Sequence, residues 1–395
     1  MRAGAGALAL LMAAGCSASP AAQAGGRSKP DNNLKKTTDA AVVSVFPANG
    51  ARDLPPELPI RIGTSGTALT TVTVTAAGIP VPGVFSADRT RWRSVRPMLP
   101  GTEYQVAAVA GKGSAKSTFS TLKPKTAFTI EQILPNKEMT SLTVGVGMPI
   151  MVKFSHEIKD RVSVERNLFV HASRPVEGAW HWFDNKTVAY RPKEFWPAHT
   201  DVRFVARLSG VRGADGMYGS KDYVRDFKIG RSQISTASVR THMMQIHRDG
   251  ALIRSVPISA GKGGVMKYHT TSGIHLAMSR EPVTVMTSPD AGPGQAGYYS
   301  QTVYNTVRIS NSGEYVHSAP WSVGSQGNSN VSHGCVNISP ANAKWFIDNT
   351  LIGDPIIVTG SPRILEPLNG WGHWQESWTE WLKWSRLREA NTDQL

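Results

Sequence analysis

The chain has 395 residues, too many for one ordinary core, so two to four domains of about 100 to 150 residues each are expected. Hydrophobic residues make up 40% and charged residues 18%, with 37 Gly and 25 Pro, a turn-rich balance that argues against long helices and for a mostly β protein. The formal charge of +14 calls for an anionic partner, which composition leaves open between nucleic acid, an acidic membrane and a phosphate-bearing cell wall.

Residues 1–16 read as a targeting segment. Ala3 to Ala14 form an apolar run with Leu8, Leu10, Leu11 and Met12, too short to span a bilayer, ending at Ala13-Ala14-Gly15-Cys16. Small residues before a cysteine resemble a bacterial lipobox, in which Cys16 is diacylated and becomes the mature N-terminus. An ordinary signal peptide cleaved nearby is the alternative, and both imply export. Residues 17–40 lack periodicity and read as a flexible spacer with a reach of about 25 to 30 Å.

Residues 41–123 change texture. Leu58-Pro59-Ile60-Arg61-Ile62 and Thr71-Val72-Thr73-Val74-Thr75 alternate with period two between Gly and Pro punctuation, the pattern of a β-sandwich. A second copy is expected over 124–230, because Pro135, Ile150, Asp184 to Pro192 and Phe204 echo Pro47, Ile60, Asp88 to Pro97 and Tyr104. Neither copy has a cysteine, so neither carries the inter-sheet disulfide of antibody domains.

Residues 231–362 open on an alternating run, Val239 to His247, with Asp249-Gly250 as a hairpin turn and Ala251 to Ile258 as its return. Ser339 as cap, Pro340 in the first turn and Ala343, Phe346 and Ile347 on one face predict a short helix, and Pro355 to Val358 a last strand. In the tail, 363–395, Trp371, Trp374, Trp378, Trp381 and Trp384 fall on one helical stripe. Such a stripe either fastens the tail to its neighbours or stacks on sugars.

Chemistry concentrates at Cys335, one of only two cysteines. A lone thiol retained in an oxidising compartment invites a catalytic role, whereas a Cys16–Cys335 bridge would staple only a loose tether. Thiol attack needs a base to take the proton, and His317 and His333 are available. Zinc held by His317, His333 and Cys335 is a rival, but two of those ligands lie only two residues apart. The order of histidine before cysteine is opposite to that of papain-like proteases.

His317, fourteen intervening residues, then Ser332-His333-Gly334-Cys335-Val336-Asn337 resembles the signature of the L,D-transpeptidases, which have a YkuD-like catalytic domain. The stretch from His317 to Gly324 is near-identical to the mycobacterial members. The resemblance implies two immunoglobulin-like sandwiches in series, a YkuD-like β-rich catalytic domain with a short helix, and a Trp-rich helical tail. It makes Cys335 the nucleophile and His317 the base, oriented by the Ser318 backbone carbonyl. Gly334 would contribute backbone N–H to an oxyanion hole, His333 would shape it, and Ser332 and Asn337 would hold the loop. A flap over the donor site would supply Tyr299 and Met286, with Trp321 lining the pocket or supporting the loop. Ser259 to Lys262 and Thr270 to Gly273 match two family turns, except that Thr271 replaces the usual Pro, at an expected cost in turn stiffness alone.

The implied reaction joins peptidoglycan tetrapeptide stems by 3→3 links, with no cofactor or metal. Carbapenems would acylate Cys335, the lipid anchor would hold the enzyme to the membrane, and nucleic acid would have no part. A catalytically inert wall-binding lipoprotein and a same-fold carboxypeptidase are the alternatives.

Overall fold

The computed structural model describes residues 41–138, 142–288, 291–296, 298–387 and 392–394. The targeting segment, the lipidation expected at Cys16 and the 17–40 spacer lie outside the described residues.

Two four-stranded sheets face one another at the start. One holds Val43–Phe46, Arg61–Thr64, Arg91–Ser94 and Gly83–Phe85, the other Ile79–Pro80, Thr71–Ala76, Glu103–Ala110 and Gly113–Ser120. The period-two pattern sends Ile62, Trp92, Val74, Tyr104 and Phe119 inward, with Tyr104 stacked on Phe119 at 5.4 Å between ring centroids. Arg61, Arg91 and Arg93 alternate with them and face solvent.

A second sandwich follows. Its four-stranded sheet runs Ile130–Leu134, Ile150–Phe154, Thr187–Pro192 and Gly178–Trp182, and its five-stranded sheet ends on Thr392–Gln394, which adds in parallel beside Leu168–Ala172. Trp180, Trp182, Tyr190 and Trp196 fill this core. Gly178–Trp182 is buried along its whole length, because the C-terminal tail covers the face that would otherwise meet water.

The part bearing Cys335 also has two sheets. Strands β1 (Gln233–Ser238), β2 (Met243–Arg248), β3 (Ala251–Pro257), β4 (Gly273–Leu276) and, late in sequence, β9 (Pro355–Thr359) form one in the order β3-β2-β1-β9-β4. Strands β5 (Ser279–Thr287), β6 (Ser300–Arg308), β7 (Tyr315–Ser318) and β8 (Val336–Ile338) form the other in sequence order. Met244, Ile246 and Val256 from the first sheet meet Val307, Val316, Val336 and Ile338 from the second, and Phe346 of the helix Pro340–Asn349 seals the core. That helix starts as its sequence dictates, with Ser339 Oγ accepting from Asn342 N–H and with Ala343, Phe346 and Ile347 buried.

Two expectations need correction. The alternating run Val239 to His247 is not one strand, since β1 ends at Ser238 and the chain turns through His242, at φ +56°, before β2 begins. Alternation continues across that turn, so periodicity alone does not reveal it. The tryptophan tail is not one helix either: a 3-10 turn at Gly372–Gln375 and an α-helix at Trp378–Lys383 are separated where Ser377 caps the second. The flap expected to supply Met286 and Tyr299 is built on the long β5–β6 hairpin, whose pairing reaches Thr287↔Ser300.

The tail nonetheless fastens. Trp371 joins the second sandwich core beside Val144 and Leu276, Trp374 Nε1 donates to Gly147 O at 2.9 Å, and Trp381, fully buried, donates to Ala179 O at 3.0 Å. Trp384 remains half exposed.

Candidate active site

Strand β7 is buried throughout and lies between β6, to which it is antiparallel, and β8, to which it is parallel. The parallel register sets His317 opposite Asn337 and Val316 opposite Val336. Side chains two apart on a strand share a face, so Cys335, immediately before β8, lies on the face of His317 and Asn337. Strand spacing of about 4.8 Å and a rise of about 3.3 Å per residue put His317 and Cys335 diagonally adjacent, about 8 Å apart at Cα.

The His317 ring is buried, and its Nδ1 lies 2.9 Å from Ser318 O. A carbonyl only accepts, so Nδ1 carries the proton and, in the neutral ring, the Nε2 lone pair is open. Burial holds His317 below the usual histidine range, with the bond to Ser318 partly opposing it. The Trp321 ring stands 6.0 Å from the imidazole, and Trp321 is otherwise half exposed.

Cys335 carries a free thiol. Its Sγ donates to Gly313 O at 3.7 Å and is approached by the Tyr315 N–H. Although Cys335 is only half-buried, desolvation of the sulfur pushes its thiol up to about 12, with Glu314 adding to the rise and the Tyr315 N–H opposing it. Both groups of the pair are therefore neutral near pH 7, and the sulfur points at Gly313 rather than at imidazole.

The loop before Cys335 is tied inward. Ser332 Oγ donates to Cys335 O at 2.6 Å and accepts from Gly334 N–H at 3.1 Å. Gly334 sits at φ +136°, a region side chains avoid, and its carbonyl accepts from Thr270 Oγ1 at 2.7 Å. The Gly334 N–H is thus spent on Ser332, which corrects the expectation that it stands free as an oxyanion donor. Asn337, buried, donates through Nδ2 to Ser322 Oγ at 3.1 Å and pairs its backbone with Ser259.

His333 lies on the exposed side. Lys262 Nζ donates to its Nε2 at 3.1 Å, Tyr268 meets it edge-on at 4.8 Å, and Tyr299 stacks at 5.5 Å. Partial burial first, then the Lys262 charge, lowers its affinity for a proton. Burial raises the Tyr299 hydroxyl, and a Cys335 charge would raise it further; the ring itself is placed by its stacking on His333. Met286 stays on β5 opposite Gln301, half-buried.

Sequence reading missed Glu314, the one carboxylate between Asp290 and Asp348. It is buried behind Gly334, accepting from Thr271 N–H and Thr271 Oγ1, both at 2.7 Å. The departure from Pro at Thr271 therefore supplies two donors to a buried carboxylate, which corrects the view that only turn stiffness changes. Glu314 is also flanked by the two residues whose backbone holds the sulfur, Gly313 and Tyr315.

Comparison with known proteins adds the following. The family described as the L,D-transpeptidase catalytic domain (YkuD) matches residues 232–358, and one described as a bacterial Ig domain matches residues 51–212. L,D-transpeptidase 5 of Mycobacterium tuberculosis is 34% identical over 366 residues, spanning 89% of this chain and 79% of the relative. L,D-transpeptidase 2 of the same species is 34% identical over 342 residues, 84% of this chain and 82% of the relative.

The chain belongs to the L,D-transpeptidases.

A solved structure, LD transpeptidase LdtMt1 in complex with imipenem, is 35% identical, with a TM-score of 0.49 over 58% of this chain and 98% of that one. As an L,D-transpeptidase the protein is a transferase, with a mostly β architecture of immunoglobulin-like units preceding the catalytic domain.

Proposed function

We propose that this L,D-transpeptidase forms 3→3 cross-links between peptidoglycan stems through a thioester on Cys335. The supporting observation is the β7–β8 register, which sets a proton-accepting Nε2 of His317 on the same sheet face as the only thiol of the described residues.

Because thiol and imidazole are both neutral, proton transfer accompanies attack rather than preceding it. The Cys335 side chain turns from Gly313 O toward His317, its S–H proton passes to His317 Nε2, and the sulfur bonds to the carbonyl carbon of the third stem residue, diaminopimelate. The C–N bond to the terminal D-Ala breaks, and that proton leaves with the D-Ala amine. The side-chain amine of a second stem then adds to the thioester, yields a proton to His317, and the C–S bond breaks to restore the thiol. Backbone N–H groups near Cys335 supply the oxyanion donors; recruiting Gly334 N–H requires its bond to Ser332 to open.

Trp321 stands beside His317 and Tyr299 beside His333, and these two rings are assigned to the stem sites. Carbapenems acylate the same sulfur. The enzyme acts outside the cell, anchored to the membrane's outer face through Cys16, in cell wall biogenesis.

Product analysis with a disaccharide-tetrapeptide tests this reading. A cross-linked dimer and free D-Ala are expected from the wild type and neither from Cys335→Ala. Tripeptide without dimer would make water the acceptor and the enzyme a carboxypeptidase.

A further inference from the structure

The first sandwich presents a face that the cross-linking reaction does not use. Across its outer sheet the register aligns Phe46, Arg61, Arg93 and Val84 in one row, each directly opposite the next on neighbouring strands. Arg91 stands two residues from Arg93 on the same face, opposite Gly63, and Val95 is the next outward position. Phe46, Val84 and Val95 are 46%, 44% and 48% exposed, and all three arginines are exposed. Arg61 and Arg93 face each other as like charges, an arrangement that weakens a sheet unless something anionic lies across it. None of the three forms an ion pair with a carboxylate among the described residues; Asp88, on the adjoining turn, feels the Arg91 charge but spends its hydrogen bonds on Ser86 Oγ at 2.5 Å and Thr90 N–H at 3.0 Å.

We propose that this sheet face docks on an anionic phospholipid surface, with Arg61, Arg91 and Arg93 on lipid phosphates and Phe46, Val84 and Val95 at the boundary of headgroup and acyl chain. The arginines require negative charge, and the interleaved apolar side chains favour a bilayer over a hydrated polyanion, which offers them no apolar phase. The face lies on the sandwich at the start of the described chain, and its first strand, Val43–Phe46, carries the row's outermost residue. Contact here lays the first sandwich along the membrane, and it is independent of whether Cys16 is acylated.

The test uses the full chain carrying Cys16→Ser, cosedimented with vesicles of phosphatidylcholine alone or mixed with phosphatidylglycerol. The readout is the ratio of anionic to neutral partition coefficients, compared between variant and wild type so that the contribution of residues 1–40, with their five basic side chains, is common to both. The ratio is expected to be well above one at low salt and to fall about fivefold for each arginine removed, so about a hundredfold in Arg61→Ser/Arg91→Ser/Arg93→Ser. Arg93→Gln alone, which relieves the facing charge and leaves the core untouched, should fall about fivefold and guards against misfolding of the triple variant. Phe46→Ser/Val84→Ser should weaken anionic binding as well. A ratio unchanged by the arginine variants overturns the proposal. So does full displacement by soluble polyphosphate with Phe46→Ser/Val84→Ser binding like the wild type, which would make the face a polyanion site.

Discussion

At the scale of single residues, the neutral state of His317 and Cys335 sets the pH dependence. The His317 pKa is depressed by burial, so its basic form is present above the lowered value and is lost as pH falls through it. The acid inflection of kcat/KM is therefore expected below the ordinary histidine value of about 6.5. Alkylation of Cys335 by iodoacetamide, by contrast, should stay slow to well above pH 9 and rise toward about 12. A thiolate already formed at pH 7 would contradict this. Replacing His317 by Gln should lower kcat by about 10² to 10⁴ while leaving the fold intact, as read by turnover and melting temperature together.

The Thr271–Glu314 contact yields a second expectation at this scale. Thr271→Pro removes one backbone N–H and one hydroxyl from a buried carboxylate, and should cost about 1 to 3 kcal/mol in denaturant unfolding. The sequence made Cys335, His317 and the hydroxyl and amide residues around them readable because their spacing is local and their chemistry distinctive. Glu314 was not readable: its partner lies 43 residues away, and an acid beside Gly313 looks like a solvated turn.

At the scale of elements, local signals succeeded where they were complete. The cap, proline and apolar face of Pro340–Asn349 specified that helix, and Asp249-Gly250 its hairpin. The tryptophan spacing misled, because a helix-compatible period continued through Glu376 and Ser377 although the chain breaks there to wrap the second sandwich. What the tail does is visible only in its packing. Arg191 lies under the rings of Trp374, Trp378 and Trp381, with His181 and His373 buried beside Trp381.

Burial lowers His373 to about 3 and His181 to about 4, in each case against smaller opposing bonds to backbone. Their unfolded value is about 6.5. Depressed folded values mean that stability is full above about pH 6.5 and is lost as pH falls toward 4 and then 3, where the folded rings finally take protons. Melting temperature measured from pH 7 to pH 4 should fall more steeply for the wild type than for His373→Phe. Parallel curves would remove His373 from the account.

At the scale of the molecule, the tail ties the catalytic domain to the second sandwich, so the two are expected to unfold together. Trp381→Ala vacates a fully buried site and should cost about 3 to 5 kcal/mol, separating the calorimetric transition into two if the tail is the main fastening. The succession of two sandwiches was legible from alternation and turn residues, and the β-rich catalytic domain after them from its first hairpin and the family resemblance. The docking between them was not, since it depends on Trp374, Trp381 and buried Glu165, which accepts from Trp182 Nε1 at 2.8 Å and from the Leu387 N–H at 3.2 Å across the fold. Under the proposed function, the whole arrangement presents one sulfur. Intact mass of the folded full chain after exposure to meropenem tests that claim most directly. One drug molecule added, mapped to Cys335 and missing from Cys335→Ala, is the predicted result; an unmodified wild-type mass, or an adduct that persists without Cys335, would contradict it.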